Sequence, residues 1–175
     1  RFPMTPTTFN ATDYLLHRHV RDGRGDRVAV LCGDRSVSYA ELADETRRVA
    51  AGFRELGVRP EERVMLCMAD GVELLTGILG AMHLGAVPVP VSTMVTGSEL
   101  GTVLADARAR VLCVSTEFAD AARVALTMAP EVTHVLVDGE TDLPGIQWST
   151  LDGDGTEPYA TWEDSPAFWL YTSRT

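Results

Sequence analysis

The residues best suited to chemistry are Tyr171-Thr172-Ser173-Arg174-Thr175, a run of hydroxyl side chains directly after an apolar segment. Side-chain hydroxyls and backbone amides gathered behind a strand are a common way to hold nucleotide phosphates, so the stretch reads as the first half of a phosphate-binding loop. Its expected glycines and lysine do not occur in the sequence, and the chain is therefore expected to be the front part of a larger nucleotide-using enzyme. Taken alone, Thr172-Ser173 is also what an ordinary turn offers. Neither G-x-x-x-x-G-K-[ST] nor G-x-G-x-x-G occurs, which removes the usual P-loop and dinucleotide-binding readings.

Other reactive residue types lack a useful pattern. His17, His19, His83 and His134 have no metal or triad spacing, and His83 lies in an apolar stretch where a structural role is expected. Cys32, Cys67 and Cys113 are widely separated and form no C-x-x-C pair, so they read as small buried hydrophobes in a reduced, cytoplasmic protein. Asp70 beside Gly71, and Asp152 with Asp154, are read as turns and caps rather than catalytic carboxylates. No catalytic residue and no metal ligand is assigned.

Charge narrows the partners. Acidic residues outnumber basic ones 25 to 15, for a net charge of −10, whereas a nucleic-acid binder needs clustered cations. All the basic residues are arginine, which with abundant Ala, Gly and Val points to a GC-rich bacterial coding sequence. No apolar run approaches the roughly 18 residues needed to span a bilayer, and Arg1-Phe2-Pro3-Met4 lacks a signal peptide's apolar core, so no membrane partner is expected.

The elements that must position the terminal run alternate between strand-like and helix-like segments, the pattern of an α/β fold: three layers, with helices flanking a mostly parallel sheet. Candidate strands are Arg27 to Cys32, Arg63 to Met68, Ala86 to Val91, Arg110 to Ser115, His134 to Val137 and Ala167 to Tyr171. Ser36 or Ser38 caps a helix with the inward face Leu42, Val49, Ala50, Phe53 and Leu56. Ser38 with Glu41 has capping-box spacing, Asp44 and Arg48 can pair, and Gly57 supplies the stop. Thr96 and Glu99 repeat the box before Leu100, Val103, Leu104 and Ala107, and Ser115 can cap a helix with the stripe Phe118, Ala121, Ala122, Ala125 and Met128. Val72 to Leu84 is apolar on nearly every side, so it needs burial, and any face left open would favour association into oligomers. The expected organisation is an N-terminal helix and lead-in over 1–26, an α/β core over 27–137, a surface connection pinned by Trp148 and Trp162 over 138–166, and a strand entering the phosphate loop over 167–175.

Three stretches in order carry a resemblance: Arg27-Val-Ala-Val with Val37-Ser-Tyr-Ala-Glu-Leu42, then Leu79-Gly-Ala-Met-His-Leu-Gly-Ala-Val-Pro-Val-Pro90, then Phe168-Trp-Leu-Tyr-Thr-Ser173. Together they resemble the N-terminal part of the adenylate-forming superfamily of acyl- and aryl-CoA synthetases, luciferases and peptide-synthetase adenylation domains. Val87-Pro-Val-Pro-Val-Ser-Thr-Met-Val-Thr96 looks most like the benzoate-CoA ligase group. Adenylation domains usually place Asp-Pro soon after the equivalent proline, where this chain has Ser92-Thr93.

That resemblance implies ATP, Mg²⁺ and coenzyme A as the reaction's partners, and a small carboxylic acid, aromatic or of medium chain length, as substrate. It places Thr172, Ser173 and Thr175 on phosphate-contacting positions. Arg174 stands where the family has glycine, and its side chain hinders the close backbone approach that glycine allows, so a distorted loop is expected. The 175 residues alone are expected to be inactive. The alternatives are a non-catalytic scaffold or interaction domain, and an amino-acid adenylation domain.

Overall fold

The structure, a computed structural model, describes residues 7–153 and 157–172. A π-helical turn at Asp13–His17 runs into the short helix α1 (Arg18–Arg21). The hairpin that follows pairs β1 (Val28–Cys32) with β2 (Arg35–Ser38) antiparallel, and stands apart from the main sheet. The sequence led us to expect β1 as a strand of the parallel sheet, and it gave no sign of β2. Gly33, at φ 58°, permits the tight reversal at little steric cost and returns the chain as a second strand.

Helix α2 (Tyr39–Glu55) starts at Ser38, not Ser36. The Ser38 hydroxyl accepts from the Glu41 amide at 3.1 Å, and the Glu41 carboxylate accepts from the Ser38 amide at 2.9 Å. Leu42, Val49, Ala50 and Phe53 are buried, Leu56 packs at the margin, and Gly57 at φ 85° ends the helix. The expected Asp44–Arg48 pair does not form. Arg48 reaches back to the Leu151 carbonyl and pairs with Glu45 at 2.9 Å, leaving Asp44 to Arg47 at 3.7 Å.

The main sheet is parallel throughout, in the order β4-β3-β5-β6-β7. Its strands are β3 (Arg63–Cys67), β4 (Val87–Pro90), β5 (Val111–Ser115), β6 (His134–Asp138) and β7 (Ile146–Gln147), linked by α3 (Val72–His83), α4 (Gly97–Ala107) and α5 (Ala119–Leu126). From β3 the chain steps outward to β4, then jumps back across β3 to β5. Right-handed crossovers moving in opposite directions must use opposite faces. Accordingly α2 and α3 pack with Val64, Leu66, Val111, Cys113 and Leu136 on one face. On the other, α4 and α5 pack with Met65, Cys67, Leu112, Val114 and Val137. Strands sandwiched this way read as continuous apolar runs, which is why the sequence revealed them.

Helix α3 needs no further domain to cover it. Val72, Leu79 and Met82 are buried against Leu16, Val37, Leu42 and Ala43, so the hairpin, α2 and the N-terminal helix form its outer wall. Thr96 and Glu99 make the second capping box, at the start of α4. Ser115 does not cap α5 with its side chain, because its hydroxyl accepts from the Ala69 amide at 2.9 Å. In α5 the buried residues are Ala119, Ala122 and Ala125, and Met128 beyond it is 39% exposed. Over 138–166, Trp148 is buried behind β7 and stacks edge-on to Phe53, whereas the Trp162 side chain is 53% exposed and the connection is tied there by its backbone, in an antiparallel bridge to Thr8. Among the described residues no helix is long and apolar enough to cross a membrane.

Candidate active site

The site sits where residues 167–172 pass the open edge of the main sheet. Ala167 to Tyr171 was expected as a strand, and it is not one. β4 explains why. The amides of Val87 and Val91 donate inward, to the Glu62 and Leu66 carbonyls at 2.8 and 3.0 Å, so the intervening Pro88 and Pro90 occupy the outward-facing positions. Proline has no N–H, and this edge therefore offers acceptors without donors. Only half a ladder is possible, and the arm makes one such bond, from the Trp169 amide to the Pro88 carbonyl at 3.1 Å.

Side chains supply the remaining ties. The Arg63 guanidinium lies over the Trp169 ring, 5.0 Å from its centroid, while its Nε donates to the Ala107 carbonyl at 2.7 Å. The Tyr171 hydroxyl donates to the Asp106 carboxylate at 2.7 Å. Burial, together with that carboxylate, pushes the Tyr171 phenol up to about 12, so it remains a neutral donor. These ties bring Thr172 to the mouth of an open groove of roughly 610 Å³ lined by Val91, Ser92, Met94, Val95, Glu99 and Val103. Met94 projects from it, 91% exposed.

Thr172 is exposed and contributes to the groove's lining. Ser173 and Thr175, the other expected phosphate contacts, lie outside the described residues, as does Arg174. The groove lining is mainly apolar and carries the Glu99 carboxylate with no arginine, so among the described residues it offers a polyphosphate hydroxyls but no positive charge. For Mg²⁺, no group of three His, Cys, Asp or Glu side chains comes together among the described residues. The junction between β3 and β5, where connections leave for opposite faces and ligands often bind in α/β sheets, is bridged by the Ser115–Ala69 hydrogen bond.

The remaining candidates are structural. His17 Nε2 and His83 Nδ1 meet at 3.0 Å in the interior, a pairing that their separation in sequence does not signal. Burial first, then the neighbouring Arg47 and His83, holds His17 down at about 4. Burial raises the Cys67 thiol to about 11 and pushes Cys113 higher still, so both are inert small hydrophobes. Asp70 is exposed in a turn, and Asp152 accepts from the Gly153 amide at 2.8 Å. Sequence reasoning missed Asp106 and Arg63 altogether. Asp106 lies 65 residues before Tyr171, and nothing local marks either residue as a partner of the arm.

Residues 16–175 match the family model described as AMP-binding enzyme. The chain is 34% identical over 170 residues to a 4-hydroxybenzoate–CoA/benzoate–CoA ligase of Rhodopseudomonas palustris, covering 95% of this chain and 32% of that protein. It is 33% identical to a benzoate–CoA ligase of Thauera aromatica, with 96% and 32% covered. Among solved structures, a benzoate CoA ligase from Burkholderia xenovorans LB400 superposes with a TM-score of 0.84 at 31% identity, over 93% of this chain and 32% of that one. An anthranilate CoA ligase in complex with anthranoyl-AMP gives 0.90 at 26% identity, over 97% and 33%. The chain thus spans about a third of the length of the curated relatives it matches. With a family match running from the N-terminal helix through the hydroxyl-rich terminal run, this chain belongs to the AMP-binding enzyme family.

Proposed function

We propose that the chain is the N-terminal part of an ATP-dependent carboxylate–CoA ligase acting on an aromatic acid. The observation that carries this reading is the likeness to benzoate–CoA ligases along 95% of the chain. The reaction has two steps. A carboxylate oxygen bonds to the α-phosphorus of ATP as the bond to pyrophosphate breaks, and the sulfur of coenzyme A then bonds to the acyl carbon as AMP leaves. The first step gathers negative charge at the phosphates, where preorganised donors are most effective. In this reading the hydroxyls and amides of Thr172, Ser173 and Thr175 are those donors, with Mg²⁺ as counter-ion.

Acid selection and the second step fall to the rest of the protein, so the 175 residues alone do not turn over. Arg174, standing in a loop that normally holds glycine there, favours the second reading, a scaffold that has lost the chemistry. Incubating the full-length protein with ATP, Mg²⁺, coenzyme A and a panel of benzoates and fatty acids separates the two. Thioester detected by mass spectrometry, strongest with a benzoate, supports a ligase. No thioester or AMP with any acid supports the scaffold.

A further inference from the structure

We propose that Asp106 is a positioning residue for ATP activation, holding Tyr171 and thereby fixing where Thr172 enters the phosphate loop. This rests on the ligase reading above.

The need for such a residue follows from β4. An arm that formed a full ladder would have its path set by backbone bonds, but the outward Pro88 and Pro90 leave this arm the single Trp169–Pro88 bond. Beyond Trp169, the arm is restrained by packing of the partly buried Tyr171 ring against the α4–α5 side of the core and by the 2.7 Å bond between its hydroxyl and Asp106, which fixes the ring's direction. Asp106 is well placed to serve. It lies in the last turn of α4, whose start is fixed by the Thr96–Glu99 capping box and whose Leu100, Leu104 and Ala107 are buried in the core. Directly after it, the Ala107 carbonyl is held by Arg63, which also covers the Trp169 ring. The end of α4 therefore grips the arm at two successive points, and Thr172 follows the second. A misplacement of about 1 Å at a phosphate donor is enough to affect the rate severely.

The test uses the full-length protein and its ATP- and acid-dependent release of pyrophosphate. Tyr171→Phe removes one hydroxyl from a partly exposed ring, and Asp106→Ala removes its acceptor. Each is expected to raise KM for ATP or lower kcat about five- to tenfold, the usual net value of one typical hydrogen bond at a partly exposed site, with KM for the acid unchanged. The double variant should be no worse than either single one, and Asp106→Asn, which keeps an acceptor oxygen, should restore most of the activity. Losses under twofold, losses that multiply in the double variant, or equal effects on ATP and acid would overturn the proposal.

Hydrogen exchange keeps the positioning claim separable from the ligase reading. Both variants should speed exchange of the Trp169 amide, the arm's hydrogen-bonded one, and leave those of β5 unchanged. Unchanged exchange at the arm would overturn the positioning role even in an active enzyme. A wild-type protein that activates no acid removes the ligase reading, and with it the claim that Asp106 serves ATP activation, even where exchange still shows it holding the arm.

Discussion

The buried pair of His17 and His83 makes the stability of this chain sensitive to mild acid. His17 is 2% exposed and His83 fully buried, with the two facing nitrogens 3.0 Å apart. One nitrogen must donate and the other accept, so the contact fails when both carry protons. Burial, then Arg47 and His83, lowers His17 from its ordinary 6.5 to about 4, with Asp13 opposing weakly. Because the folded-state value is the lower one, the unfolded chain takes up a proton that the folded chain refuses, and stability falls as pH drops from 6.5 toward 4. Integrating over about pH 7.5 to about pH 5 gives a loss of about 2 kcal/mol from this residue. Urea unfolding of the wild type and of His17→Gln, followed by tryptophan fluorescence, measures it. Gln does not titrate, so the wild type should lose about 2 kcal/mol more than the variant across that window. Parallel losses in the two proteins would refute the assignment of the acid sensitivity to His17.

Three further outcomes follow from the packing. Ser38→Ala or Thr96→Ala breaks a capping box and should cost about 1 kcal/mol each in denaturant unfolding. Gly80 is where α3 crosses α2, and a side-chain carbon there would lie 3.2 Å from the Ala50 backbone nitrogen; Gly80→Val should cost roughly 1–3 kcal/mol or more, with Phe53→Ala at about 3–5 kcal/mol as the large-cavity reference. Of the three free thiols, partly buried Cys32 should react with a disulfide reagent in the native state, whereas Cys67 and Cys113 should react only on unfolding.

What the sequence disclosed and what it hid divide along physical lines. The buried parallel strands were legible because both of their faces are covered, and both capping boxes because their four-residue code is local. Strand β2 was obscured because Arg35–Ser38 is only four residues long, buries a single side chain, Val37, and overlaps the helix start. The arm at 167–171 has the composition of a strand, but strand formation needs a partner edge, and Pro88 and Pro90 deny it one. The resemblance pointed to Thr172, and its position beside the groove follows from the arm's path. Asp106, Arg63 and the histidine pair were invisible because each is defined by a contact across the fold.

The central claim is that these residues are the opening of an acid-activating ATP site, and ATP–pyrophosphate exchange in the absence of coenzyme A tests it most directly. The full-length protein should exchange labelled pyrophosphate into ATP when a benzoate is present, and the 175-residue chain alone should not. Exchange by the isolated chain, or none by the full-length protein with any acid, would contradict the account.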